Sequence, residues 1–276
     1  MGKKICAILF IYQTLKGSKV VLQIFIAAMG ITLFTISPPS FAGNILLTSE
    51  GGPLSLLTDQ SLEDWRPMTF PKVSRHTKYS LLNEEGRQVI RAESHQSASG
   101  IYKKYDLDPK VYSILSWCWK INRVIAKGDE TRKEGDDYAA RIYVTFKFDP
   151  AKASFWEMKK FQVIKLIYGE YPPKAAINYI WANRLTKGKA IANAYSDSAK
   201  MIAVESGAEK VGQWICEERN LYDDYKLLFG ETPPSISGIA IMTDTDNTGE
   251  DAIAHYAGLI LRSAESPPSS QSTIHR

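Results

Sequence analysis

Between Ala140 and Lys147 apolar and polar side chains alternate without a break: Ala140, Ile142, Val144 and Phe146 against Arg141, Tyr143, Thr145 and Lys147. A period of two marks an extended strand with one face buried and the other turned outward. The same alternation runs through residues 89–94. It recurs at 115–121, where Leu115, Trp117, Trp119 and Ile121 oppose Ser116, Cys118 and Lys120. Further strand candidates lie at 176–182, 201–205, 213–219, 237–243 and 254–261, separated by turn-forming residues. Strands this short and frequent, with no helix between each pair, exclude a parallel βαβ sheet. They predict an all-β fold: an antiparallel, jelly-roll-like β-sandwich with short helical insertions.

Two helical islands interrupt the pattern. Phe155, Trp156, Met158, Phe161, Ile164, Leu166 and Ile167 form an apolar stripe in a basic stretch that runs out before Pro172-Pro173. Such a stripe is expected to pack over one end of the sandwich; docking on a membrane surface is the competing reading. The second island, 221–229, stops at Gly230 and meets Pro233-Pro234, a helix-stop pattern. Residues 61–262 are read as one sandwich domain, 43–60 as a lead-in or linker, and 263–276 as a disordered tail.

The start of the chain reads as a targeting segment. Lys16 and Lys19 precede an apolar run at 20–36, then Pro38-Pro39 and Ser40-Phe41-Ala42, a small-residue exit. That order predicts a signal peptide, 1–42, cleaved after Ala42 for a periplasmic or secreted destination, with no stable membrane span afterwards. An uncleaved anchor is the alternative. Charge follows the same division. Of the 34 basic residues, Lys3, Lys4, Lys16 and Lys19 precede Ala42, whereas no acidic residue does; 30 basic residues then face 30 acidic ones. A neutral exported chain lacks the basic footprint of a nucleic-acid binder. In an oxidising compartment Cys118 and Cys216 are potential partners. Neither periodicity nor spacing brings them together, and the expectation is two unpaired, half-buried thiols. With four scattered histidines they make no zinc spacing.

One ordered series of motifs spans the chain. It comprises Arg91-Ala92-Glu93-Ser94 with Ala98-Ser99-Gly100, residues 115–120, Gly135-Asp136-Asp137-Tyr138-Ala139-Ala140-Arg141 and Asn178-Tyr179-Ile180-Trp181-Ala182. Glu205-Ser206-Gly207, Glu218-Arg219-Asn220 with Asp223 to Tyr225, and Met242-Thr243-Asp244-Thr245-Asp246-Asn247-Thr248 complete it. The series resembles a family of bacterial exported proteins of unknown function, of the DUF3047 type, and the likeness covers most of residues 60–262. The resemblance implies a family without an established activity and carries over no catalytic residues. At fold level, a Trp-containing first strand, the Trp-x-Trp-Lys strand and a closing strand after an Asp-rich loop look like jelly-roll carbohydrate-binding modules.

Alternation puts Arg91 and Glu93 on one strand face, and Arg141 and Tyr143 on the face opposite Ile142 and Val144. Neighbouring strands would gather these four, with Glu205 and Arg219, on one cupped polar surface. Guanidinium and carboxylate groups there grip sugar hydroxyls or an acidic glycan, and Tyr143 or Trp181 supplies a stacking ring. The competing reading is a solvated face laced with cross-strand ion pairs, each worth about 0.2–1 kcal/mol. Asp244, Asp246 and Thr248 offer oxygens at alternate positions before Gly249, which begins like a calcium loop. His255 at the twelfth position excludes an EF-hand. An Asx-rich turn is the leading reading of this stretch, and a structural calcium in a loop between strands is the alternative.

The functional expectation is a non-catalytic, glycan-binding protein of the cell envelope. A hydrolase or lyase would need two converging carboxylates, for which Glu93, Asp137, Glu205, Glu217 and Glu218 are candidates. An envelope scaffold protein is the third reading. Glu205-Ser206-Gly207 is no nucleophile elbow, and a Gly-rich phosphate loop is lacking.

Overall fold

A computed structural model of the chain describes residues 52–57, 61–84, 86–168 and 171–265. The expected signal peptide, and the tail beyond residue 265, lie outside the described residues. Strands β1 (Leu54–Ser55), β2 (Arg66–Met68), β3 (Lys78–Glu84), β4 (Arg87–His95), β5 (Ala98–Leu107) and β6 (Ile114–Ile121) come first. Strand β7 (Arg141–Phe146) is followed by helix α1 (Phe155–Tyr168), then β8 (Ala175–Ala182), β9 (Ala190–Asn193), β10 (Ser196–Ser206) and β11 (Ile215–Asn220). Helix α2 (Leu221–Phe229) leads into β12 (Ile236–Asp244) and β13 (Asp251–Arg262).

The strands make two sheets. A six-stranded sheet runs β11-β6-β13-β4-β3, with β1 also paired to β13; a seven-stranded sheet runs β2-β5-β12-β7-β8-β10-β9. The all-β sandwich read from the alternation is therefore the fold. It departs from a purely antiparallel one at a single described pairing, β8 with β10, which is parallel. Strand β9 folds back on β10, and β10 slots between β9 and β8, so the chain must return before β10 begins. Part of the segment read as a lead-in is built into the sandwich: Leu54 and Ser55 pair with Leu261 and Ile260, and Leu56 is buried.

The inner faces interlock through aromatic rings. Trp117 and Trp119 of β6 sit 5.4 Å apart edge-on; Trp117 meets Tyr179 of β8 at 5.3 Å, and Trp119 meets Trp181 at 5.9 Å. All four rings are at most 1 % exposed. Such rings bury large apolar areas and gain further from tilted and edge-on contact. Ile90, Ala92, Ile142, Val144, Ile239 and Ile241 belong to the same core, each contributed by alternate positions of its strand.

Strands β3, β5 and β9 escape the periodicity reading. In β5 the charged pair Lys103-Lys104 masks an alternation that still places Ile101 and Leu107 in the core. Both helical islands are helices. Asn220 caps α2 by accepting the backbone N–H groups of Tyr222 and Asp223 at 3.0 and 3.2 Å. Gly230 closes it at φ 72°, a left-handed conformation that suits glycine. Helix α1 docks through Phe161 on Phe148, ring centroids 4.2 Å apart, while Phe155 and Trp156 at its start stay exposed. No helix among the described residues is long and apolar enough to cross a membrane.

The cysteine expectation is corrected. Cys118 and Cys216 stand directly opposite each other on β6 and β11 and form a disulfide. The alternation that drives Trp117 and Trp119 inward turns Cys118 outward, and antiparallel pairing across the sheet brings Cys216 beside it. The bond closes a separation of 98 residues. Cross-links over spans this long restrict the unfolded chain most, typically for about 2–4 kcal/mol. The double variant Cys118→Ser, Cys216→Ser is expected to lose stability of that order in urea titration; an unchanged midpoint would mean the bond contributes nothing.

Candidate functional site

The outer face of the seven-stranded sheet carries a cavity of about 530 Å³. Its floor follows from register. One row across the sheet reads Tyr102, Ala240, Tyr143 and Asn178 on β5, β12, β7 and β8. The next row, toward the start of β8, brings Gly238, Thr145 and Ala176 side by side, with Ala199 of β10 beyond them. Small residues at the centre leave the space, and rings frame it: Tyr105 and Phe70 on one side, Phe148 and Tyr171 beneath α1, and Tyr195 after β9. Gly238 is a constrained choice, because a Cβ there would lie 2.9 Å from the Lys103 carbonyl oxygen. Cavities of this size, apolar with a few convergent polar groups, are the usual form of a small-ligand site.

At one end of the cavity Arg141 is buried, 3 % exposed, between the rings of Tyr138 and Tyr143, 4.9 and 5.4 Å from its guanidinium carbon. Its Nη2 donates to Asp244, and its Nη1 lies 3.8 Å from Asp136. Burial works against its charge, but these carboxylates prevail and hold its pKa above the ordinary value. Asp137 is fully buried alongside, its carboxylate accepting the backbone N–H groups of Asn247 and Thr248 at 3.3 and 2.7 Å. Oxygens of Asp137, Asp244 and Asp246 lie within 4.8 Å of one another, an arrangement with the hard oxygen donors that a divalent cation takes.

One guanidinium cannot neutralise four neighbouring carboxylates. Burial pushes the Asp244 carboxyl well up against the pull of Arg141, and Asp137, Asp136 and Asp246 push it further. Asp136 is raised by burial despite Arg141, and Asp246 by burial and then by Asp137.

Of the residues expected to share a polar surface, Arg141 and Tyr143 line the cavity. The rest are elsewhere. Arg91 and Glu93 pair with each other on the outer face of the six-stranded sheet, because β4 belongs to that sheet and β7 to the other. Trp181 is a core residue, not a stacking surface: it is 1 % exposed against Trp119, and its indole N–H donates to the Gly207 carbonyl. Glu205 is held at the end of β10 by Lys187 and Lys210, at 3.0 and 2.9 Å. Arg219 grips Asp224, which also accepts the Tyr179 hydroxyl, so this group ties β11, α2 and β8 together. The alternative calcium reading names Asp244, Asp246 and Thr248, and the acidic group that forms differs from it in one member. Thr248 enters through its backbone N–H, and the third carboxylate comes from Asp137, more than a hundred residues earlier.

Sequence reasoning missed Asn178 and the rings from β5 and the loops. Asn178 had a signal: an amide inside the otherwise apolar run Ala175–Ala182 is costly unless something answers it. The loop rings had none, since loop aromatics carry no period, and the lysine pair hides those of β5.

A family model described as protein of unknown function (DUF3047) matches residues 63–260, and the chain belongs to that family. No curated protein matches it. Among solved structures it is similar to the family 11 carbohydrate-binding module of the cellulosomal cellulase Lic26A-Cel5E of Clostridium thermocellum. That match has 10 % identity and a TM-score of 0.40, covering 78 % of this chain and 97 % of that one. The Clostridium thermocellum family 11 module in complex with a β-1,3-1,4-mixed-linked tetrasaccharide matches at 7 % and 0.36, over 79 % and 98 %. A structure titled for CBM4 matches at 10 % and 0.32, over 74 % and 98 %. Likeness at this level leaves the functional reading to the chain's own cavity.

The acidic cluster makes a pH prediction. A carboxyl with a higher pKa folded than unfolded holds extra protons in the folded state, so stability falls as pH rises from about 4, the ordinary carboxylate value, through the raised ones. In a chelating buffer the melting temperature is expected to drop over this window for the contribution of Asp136, Asp244 and Asp246. Asp246→Asn should shrink the drop. A variant that follows the wild-type profile in parallel would remove Asp246 from the account.

Proposed function

We propose that this member of the DUF3047 family binds a carbohydrate in the cavity on the outer face of its seven-stranded sheet, without transforming it. The observation that carries the reading is the combination of a ring-framed cavity of about 530 Å³ with a floor that joins small apolar residues to Arg141, Asn178 and Thr145. Sugars commonly present apolar C–H faces and hydroxyl edges; aromatic rings serve the first and planar polar groups the second. Tyr143 is half-buried on the cavity floor, in the row between Ala240 and Asn178, and offers a ring for stacking.

Export to an oxidising compartment belongs to the same proposal. What supports it is the Cys118–Cys216 disulfide, together with the leader-like order of charge, apolar run and small residues before Gly43. Calcium enters as a structural ion on Asp137, Asp244 and Asp246, where a cation would offset part of the surplus negative charge and leave the wall acidic. Thermal melts in excess calcium are expected to lie above melts in chelator, and coincident curves would eliminate the ion.

Binding is tested by titration calorimetry against cellotetraose, chitotetraose and tetragalacturonate. At least one is expected to bind the wild-type protein, and Tyr143→Ala is expected to weaken that binding about tenfold or more, at the scale of a lost central aromatic contact. Arg141→Ala is a poor probe, because it strands Asp244 and Asp136 in the interior and threatens the fold itself. No binding to any of the three, or release of shorter fragments during incubation, would overturn the non-catalytic binding reading.

A further inference from the structure

Asn178 is a polar side chain that neither the core nor the acidic cluster accounts for. It stands on β8 between Ile177 and Tyr179, both core residues, and so points to the opposite, outer face, where it lines the cavity. It is 1 % exposed, and neither its Oδ1 nor its Nδ2 has a hydrogen-bond partner. A buried amide with both ends unanswered is a standing cost to the fold, and a ligand that supplies a donor and an acceptor removes it.

Its surroundings narrow what that ligand group is. One step along β8, Ala176 pairs with Ala199 of β10, and both line the cavity. A donor–acceptor pair thus adjoins a niche lined by two methyl groups. At the other end Asp136, Asp244 and Asp246 put surplus negative charge on the wall, which repels an anionic sugar.

Resting on the carbohydrate reading above, we infer that the cavity selects neutral glycans bearing 2-acetamido groups, with Asn178 as the residue that reads the acetamido substituent. Asn178 Oδ1 accepts the acetamido N–H, Nδ2 donates to the hydroxyl on the adjacent ring carbon, and the acetyl methyl lies over Ala176 and Ala199. A plain hydroxyl at the same ring position meets the polar half of this arrangement and leaves the niche unfilled. A uronic acid adds a charge that the carboxylates oppose.

Titration with chitotetraose, cellotetraose and tetragalacturonate separates the possibilities, since the first two share a backbone and differ in the acetamido group. Chitotetraose is expected to bind at least tenfold more tightly than cellotetraose, and tetragalacturonate more weakly than either. Asn178→Ala should remove most of that preference while its melting temperature stays close to wild type, because the amide it deletes has no partner to lose. Ala176→Val should fill the niche and weaken chitotetraose binding more than cellotetraose binding, with a circular dichroism spectrum like that of the wild type as proof of fold. Equal wild-type affinity for the two neutral sugars, or a preference untouched by Asn178→Ala, would overturn the acetamido assignment while leaving the carbohydrate site standing. Failure of all three to bind would bring down both.

Discussion

The seam of rings between the two sheets is the contact on which the rest of the molecule depends. Trp117 and Trp119 from one sheet lie against Tyr179 and Trp181 from the other, fully enclosed. Because β6 and β8 alternate, each ring driven inward dictates what the same strand turns outward. On β6 the outward residue is Cys118, which meets Cys216; on β8 it is Asn178, which meets the cavity. Packing of the core thus sets both the covalent cross-link and the polar centre of the site, without either being part of it.

The two outer faces of the sandwich are made of different material. The six-stranded sheet carries charged side chains paired across and along its strands, as in Arg91 with Glu93 and Lys120 near Glu84. Pairs of this exposed kind contribute little energy and chiefly keep the surface wet. The seven-stranded sheet instead has alanine and glycine at its centre and rings at its margins, so that a hollow forms where side chains would otherwise fill the space. The loop after Phe146 and helix α1 raise one wall of that hollow by packing Phe161 on Phe148.

At the far wall, Arg141 converts a cluster of carboxylates from an impossibility into a liability that the fold tolerates. Its guanidinium lies between two tyrosine rings and is anchored on Asp244, while Asp137 is satisfied by backbone amides. The balance remains negative and buried, which is why burial and mutual repulsion raise the affinity of Asp136, Asp244 and Asp246 for protons. Any ligand entering the cavity meets this field first as a constraint on its own charge.

The strands with clean alternation, and the facing of residues along them, were legible in the sequence, because backbone geometry turns successive side chains to opposite faces. Strands β3, β5 and β9 lack that clean signal. The reading of 140–147 placed Ile142 and Val144 inward and Arg141 and Tyr143 outward, as they are. The stop of α2 at Gly230 was equally local. Tertiary structure alone decided which strands share a sheet: Arg91 and Arg141 have the same parity on their strands yet face opposite sides of the molecule. It also decided that Asp137 meets Asp244, that Cys118 meets Cys216, and that Asn178 is left without a partner beside two alanines. Parity is a property of one strand, whereas neighbourhood depends on the order in which strands join the sheet, and that order follows from the packing of the whole core.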